Sequence, residues 1–316
     1  MIISASRRTD IPAFYAKWFI HRIREGFCTV PNPFNPNQVS RISLKPCDMD
    51  VIVFWTRNPA PLIPYLNELD DLGFRYYFQY TLLNNPKELD RNGPGFERSI
   101  DTFQRLSQKV GADRVIWRYD PIVLTEKTDM RFHMETYQEI AEQLRGFTRR
   151  SVISLMDPYR KIQKRMSELE KKGLKVIDLQ DSKGNRFGTL MRTLAETAYE
   201  NGMEIVSCTE DVKLSNYGIK PGKCIDDEYI KIIFDIDVDD KKDPSQRKAC
   251  GCVKSRDIGM YDTCLFGCQY CYATSSFERA RKNHAQHDPN SPLLVGWYEV
   301  EENSRDLQLN MFSEGS

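Results

Sequence analysis

Val51-Ile52-Val53-Phe54-Trp55-Thr56-Arg57-Asn58-Pro59 decides the fold. Five apolar residues run without a polar break, and a polar, turn-forming stretch follows at once. A strand buried on one face alternates apolar and polar residues, whereas a strand buried on both faces reads as a continuous apolar run. The run is too short for a buried helix. It predicts an inner strand of a parallel sheet, with a polar C-terminal end and a helix opened by Asn58-Pro59 and ending at Gly73.

The same design recurs on both sides. Upstream, Ile2-Ile3-Ser4-Ala5-Ser6 leads through the capping pair Thr9-Asp10 into a helix from about Ile11 to Glu25. Ile11, Phe14, Tyr15, Trp18, Phe19 and Ile23 line one face of that helix, and Gly26 stops it. Residues 31–37 read as a turn-rich loop, and 38–44 as an edge strand. Downstream come apolar strands at 76–80, 115–119, 152–156 and 204–208. Between them lie helices carrying Phe96 to Val110, Met130 to Leu144, and residues 186–201. No G-x-G-x-x-G follows any strand, so a dinucleotide-binding half is not indicated. The expected fold is α/β, a partial TIM-like (β/α)6 barrel over residues 1–212. Residues 213–248, with the Asp-rich run Asp235 to Asp243, are expected as a connector. Residues 249–316 are expected as a C-terminal cluster-binding extension packed on the barrel, helical at about 273–285 and irregular from His287.

The chain has 316 residues, with 45 Lys plus Arg against 45 Asp plus Glu, for a net charge of zero. That balance argues against tight non-specific binding of nucleic acid, although a local groove remains compatible with it. No apolar run approaches the ~18 residues of a membrane span. The opening Met-Ile-Ile-Ser-Ala-Ser-Arg-Arg is charged too soon for a signal peptide. The expectation is a cytoplasmic protein with reduced thiols, where clustered cysteines favour metal over disulfides.

Five of the nine cysteines crowd into Cys250-Gly-Cys252-(x11)-Cys264-Leu-Phe-Gly-Cys268-Gln-Tyr-Cys271. The spacing C-x3-C-x2-C can place three thiolates on three irons of a four-iron cluster and leave the fourth iron open. A zinc knuckle or structural staple is the competing reading. Gly267 permits a tight loop, and Tyr270 can shield a cluster. Cys250 and Cys252 are candidate extra ligands: they complete the site, bind a second metal, or take no part. Cys208, at the end of the sixth strand, reads as a small core residue. Cys28, Cys47 and Cys224 are scattered.

Parallel α/β sheets bind ligands at the C-terminal ends of their strands. Here those ends carry Ser4, Ser6, Arg7, Arg8 and Asp10; Thr56, Arg57 and Asn58; Gln79 and Thr81; Arg118 and Asp120; Ser154 and Asp157; and Ser207, Thr209, Glu210 and Asp211. Such residues are also ordinary caps and turn formers, Asp10 above all. Arg7, Arg8, Asp10, Asp120 and Glu210 are candidates for an anionic, nucleotide-like substrate. The arginines can equally pair with the acids structurally. The four histidines lie at no strand end, and no G-x-S-x-G is present, so a His-rich metal hydrolase or a serine hydrolase is not indicated.

Cys264-x3-Cys268-x2-Cys271, with Tyr270 before the third cysteine, resembles the cluster motif of the radical S-adenosylmethionine superfamily. The whole chain resembles the bacterial DUF1848 family. The matching stretches are Ile3-Ser4-Ala5-Ser6-Arg7-Arg8-Thr9-Asp10-Ile11-Pro12, Phe54-Trp55-Thr56-Arg57-Asn58-Pro59, Trp117-Arg118-Tyr119-Asp120-Pro121-Ile122 and Tyr261-Asp262-Thr263-Cys264. The Trp-Thr-Arg-Asn-Pro and Trp-Arg-Tyr-Asp-Pro stretches are similar, more distantly, to spore photoproduct lyase-like enzymes. The superfamily resemblance implies a [4Fe–4S] cluster on Cys264, Cys268 and Cys271, S-adenosylmethionine on its open iron, and a 5′-deoxyadenosyl radical that abstracts a substrate hydrogen. It also implies a small-molecule or nucleotide-like substrate and an electron donor of flavodoxin or ferredoxin type. Thr56, Asn58, Gln79, Arg118 and Ser154 are then placed to grip S-adenosylmethionine. Two departures follow from this sequence. The motif comes after the sixth strand rather than the first, so its loop must fold back over the barrel mouth. No Gly-Gly-Glu run follows the second strand. The alternative function is a non-enzymatic barrel with a four-cysteine zinc or electron-transfer iron–sulfur site.

Overall fold

Six strands lie side by side in chain order, as the apolar runs predict. They are β1 (Ile2–Ala5), β4 (Val51–Thr56), β5 (Tyr76–Thr81), β6 (Val115–Ile122), β7 (Arg150–Leu155) and β8 (Glu204–Cys208). The computed structural model describes residues 1–156, 160–177, 185–208 and 213–297. Two short strands extend the sheet, β10 (Arg256–Asp257) beside β1 and β9 (Lys220–Gly222) beside β8. All eight are parallel, in the order β10-β1-β4-β5-β6-β7-β8-β9. A separate antiparallel hairpin joins β2 (Phe27–Asn32) to β3 (Asn35–Ser43). The helices are α1 (Ile11–Phe14), α2 (Ala16–Glu25), α3 (Leu66–Asp71), α4 (Phe96–Val110), α5 (Met130–Gln143), α6 (Arg160–Lys171), α7 (Asn185–Glu200), α8 (Asp227–Phe234) and α9 (Phe277–Ala285).

Successive side chains on a strand point to opposite faces, and here both faces are buried. On one face Ile3, Ile52, Phe54, Phe78, Tyr80, Trp117 and Ile153 pack with Phe19, Phe103, Tyr137 and Leu190 of the helices. Trp117 stacks on Tyr137 with ring centroids 4.5 Å apart, and Tyr80 stacks on Phe103 at 5.0 Å. Each such pair contributes about 0.5–1.5 kcal/mol beyond its burial. On the other face Ile2, Val51, Val53, Tyr77, Ile116, Val152 and Val206 form a second, smaller core with Ile225, Tyr229, Ile230 and Val253. That double burial is why the strands read as unbroken apolar runs.

Local departures from the expected elements have physical causes. The helix expected from Ile11 to Glu25 breaks at Tyr15, whose φ of −133° and ψ of 20° are not helical. Tyr15 lies at 1% exposure with its hydroxyl on the carbonyl of Thr263, so a tertiary contact overrides the helical periodicity. Asn58-Pro59 opens no helix directly; a 3₁₀ turn at Ile63–Tyr65 precedes α3. The segment 31–44 is the outer part of the β2–β3 hairpin, one strand longer than expected. The segment 213–248, expected as a connector, carries β9 and α8. Gly222 lies so close to β8 that a Cβ there would sit 2.6 Å from Val206 Cγ2.

Candidate metal centre

The loop bearing Cys264, Cys268 and Cys271 is clamped from three sides. From the α1–α2 break, the Tyr15 hydroxyl donates to Thr263 O at 2.7 Å. From the segment after β5, Asn92 N donates to Phe266 O at 3.0 Å, and Asn92 Nδ2 to Leu265 O at 2.9 Å. Gln269 N donates in return to Leu89 O at 2.9 Å. From α6, Arg165 donates to the carbonyls of Cys271 and Thr274. Phe266 packs on Phe14 with centroids 4.7 Å apart. Gly267 turns the loop at φ +70°, a region that β-carbons disfavour.

The loop is docked at the C-terminal end of β4. Arg57, the residue after that strand, donates from Nη1 to Cys268 Sγ at 2.9 Å. The same guanidinium grips Asp90 with two bonds, of 2.7 and 2.9 Å. The Tyr270 hydroxyl donates to the same carboxylate at 2.7 Å. Burial opposes the Arg57 charge, but Asp90, Tyr270 and Cys268 hold its pKa well above the ordinary value. Burial likewise acts against the Asp90 charge, and Arg57 overrides it, holding the carboxyl below its usual range. Arg57 Nε is buried without a hydrogen-bond partner. A buried guanidinium with an unmet donor beside a sulfur fits an anionic thiolate centre.

Burial pushes the Cys264 thiol well above its ordinary value, with Cys271, Asp10 and Cys268 adding to the effect. Burial also raises Cys268, against the pull of Arg57. Such thiols ionise when a metal replaces their protons. Asp10 and Asp90 approach the sulfurs but are already engaged. Asp10 caps α1 through Ala13 N at 2.9 Å and accepts from Thr56 Oγ1 at 2.8 Å and Arg57 N at 2.6 Å. Burial pushes the Asp10 carboxyl up to about 7, against the hydrogen bonds from Arg57, Thr56 and Ala13. Among the described residues, no three His, Cys, Asp or Glu side chains are grouped to hold one metal ion. A single zinc draws all its sulfurs to one point at ~2.3 Å. A cubane cluster gives each thiolate its own iron, so its ligands stand further apart. Three thiols on one loop beside a buried guanidinium are the donors a three-thiolate cluster would use.

The remaining candidates divide between this centre and the other face of the sheet. Thr56 and Asn58 fix the turn that launches Arg57, since Thr56 Oγ1 accepts from Asn58 N at 2.9 Å and Asn58 Oδ1 from Ala60 N at 3.2 Å. Gln79, Arg118, Asp120 and Ser154 form one network on the other face. Arg118 Nη1 donates to Gln79 Oε1 at 3.1 Å, Arg118 Nε to Asp120 at 2.9 Å, and Ser154 Oγ to Asp120. Arg7 and Arg118 both stand over Trp55, at 5.2 and 5.1 Å. Arg8 reaches Gly259 O and the Tyr261 ring. Glu210, like Asp157, lies outside the described residues.

Cys250 and Cys252 are not with the three-cysteine loop. They pack in the second core beside Cys224, and Cys252 Sγ accepts from Ile225 N at 3.4 Å. Sequence reading missed three participants. Asp90 has only its position after an apolar strand to mark it. Asp257 accepts from Ser4, Ser6 and Arg7 N, yet its strand is two residues long. Cys224 follows a Lys-Pro-Gly-Lys run that resembles a plain turn.

Residues 2–273 match the family described as Domain of unknown function (DUF1848), and the chain belongs to that family. No curated protein and no solved structure matches the chain.

Proposed function

We propose that this DUF1848 protein is a radical S-adenosylmethionine enzyme, with Cys264, Cys268 and Cys271 holding a [4Fe–4S] cluster that leaves one iron for S-adenosylmethionine. The observation that carries the reading is the Arg57–Cys268 contact of 2.9 Å, which docks a C-x3-C-x2-C loop at the C-terminal end of an inner parallel strand. When bound, the cluster and S-adenosylmethionine supply a one-electron cleavage that yields a 5′-deoxyadenosyl radical. We read the sheet as a partial (β/α)6 barrel with the segment from 249 as a cluster-binding extension over its rim. The unbroken chain order of the six central strands supports that reading.

The chain's own residues have definite tasks in it. Arg57 offers a hydrogen bond and a positive charge to the Cys268 sulfur, which raises the potential of a bound cluster. Asp90 fixes the guanidinium through both oxygens, and Tyr270 and Phe266 keep water from the buried side. Thr56 and Asn58 hold the Arg57 turn beside the cluster. Gln79, Arg118 and Ser154 belong to the opposite face, so a role for them in gripping S-adenosylmethionine requires the cofactor to reach across the strand ends. Among the described residues Asp10 and Asp90 are engaged and Cys250 and Cys252 pack in the other core, which favours the open site over a closed four-ligand zinc or electron-transfer site.

The test is S-adenosylmethionine cleavage. Anaerobically reconstituted protein, reduced with dithionite, is expected to release 5′-deoxyadenosine, and Cys268→Ala to release none. Wild-type protein that holds its iron and yields no 5′-deoxyadenosine contradicts the reading.

A further inference from the structure

Four cysteines that share no sequence motif meet on the face of the sheet opposite the three-cysteine loop. Cys208 ends β8, Cys224 lies two residues beyond β9, and Cys250 and Cys252 flank a glycine. Cys208 Sγ and Cys224 Sγ are 2.9 Å apart. Cys250 and Cys252 pack with Cys224 in the smaller core, and Cys208 lies against it. None of the four is in a disulfide. The backbone around them is held firmly: Cys224 O accepts from Gln79 Nε2 at 2.7 Å and from the Tyr77 hydroxyl at 3.0 Å.

Cations surround the sulfurs. Arg118 Nη1 donates to Cys224 Sγ at 3.1 Å. Arg7, whose side chain is 13% exposed, has a buried Nη2 with no hydrogen-bond partner. Its carboxylate contact to Asp243 is long, at 3.9 Å. Arg118 is paired with Asp120, and Asp243 and Asp257 lie beside Arg7, but the unmet Arg7 Nη2 still calls for an acceptor next to the sulfurs. Thiolates supply it, and they are stable at such a site when a soft metal holds them.

We propose that Cys208, Cys224, Cys250 and Cys252 bind a second iron–sulfur cluster. Cys208 and Cys224 are too close to sit on separate irons, and among the described residues no three of these side chains are grouped on one ion, which suits a cluster that takes two cysteines on each iron better than a single ion. Arg118 and Arg7 offset the negative charge of the centre, and Gln79 and Tyr77 fix the Cys224 backbone. This site is independent of the three-cysteine loop and uses none of its residues.

Two variants read the sites separately after anaerobic reconstitution with ferrous iron and sulfide. The chain carrying Cys264→Ala, Cys268→Ala and Cys271→Ala is expected to keep part of the wild-type iron and a visible charge-transfer band. The chain carrying Cys224→Ser and Cys252→Ser is expected to lose the iron that the first variant keeps, whatever happens at the loop. Iron in this second variant equal to that of wild type overturns the proposal, and so does one zinc per chain held by the first variant. A Cys208–Cys224 disulfide in protein prepared without air also overturns it. Loss of all iron from the first variant while its circular dichroism stays native is a fourth refuting result.

Discussion

Two arginines, Arg57 and Arg118, do the same thing on opposite faces of the sheet. Each extends from an inner strand or the residue just beyond one, and each turns Nη1 onto a cysteine sulfur, Cys268 at 2.9 Å and Cys224 at 3.1 Å. Each is also paired with an aspartate, Asp90 or Asp120. The surroundings differ. The Arg57 centre is built from one contiguous loop clamped onto the helix-covered face. The Arg118 centre gathers sulfurs from three separate segments in the smaller core. On the proposed reading the first takes the reactive role and the second a supporting one.

Removing the aspartates separates the two centres most strongly. Asp90→Ala leaves Arg57 buried with only Cys268 and Tyr270 as partners and no carboxylate, at an expected cost of about 3–5 kcal/mol. Asp120→Ala leaves Arg118 with Gln79, Cys224 and Trp55 and should cost about 1.5–3 kcal/mol. Urea unfolding of the metal-free proteins measures both, and equal costs break the comparison.

The helix-covered face also carries a titration. His133 Nδ1 meets the Tyr119 hydroxyl at 2.7 Å and Nε2 meets Val123 O at 3.1 Å, both on a neutral ring. Burial lowers its pKa to about 4. A depressed folded-state value means stability present above about 6.5 and lost as pH falls through about 4. The loss is on the order of 3 kcal/mol. Asp10, raised to about 7, acts in the opposite sense, its contribution fading as pH rises toward that value. Comparing wild type with His133→Gln at each pH isolates the histidine, and identical pH profiles refute its part. The smallest effect sharpens the comparison from the other face. Gly222→Ala drives a Cβ into Val206 beside Cys224 and should cost about 1–3 kcal/mol. It should reduce iron at the dispersed centre and leave the loop centre unchanged, as iron analysis would show.

The six inner strands were legible because burial on both faces leaves nothing polar to interrupt them, as in Val51 to Trp55. The edge strands were not, since Lys220-Pro221-Gly222 and Arg256-Asp257 are short and polar. The break at Tyr15 was hidden because the apolar period continues through it. Cys264, Cys268 and Cys271 were legible because their spacing is local. Cys224 was not, because only the parallel pairing of β8 with β9 brings it to Cys208. Arg57 stood out at a strand end, but its partner Asp90 is 33 residues away.

The central claim is that the loop centre leaves one iron open to S-adenosylmethionine. Electron paramagnetic resonance of the reduced, reconstituted Cys224→Ser, Cys252→Ser chain tests it most directly, since only the loop cluster remains. A signal that shifts when S-adenosylmethionine is added is the predicted result. A cluster signal that does not change with S-adenosylmethionine contradicts the claim.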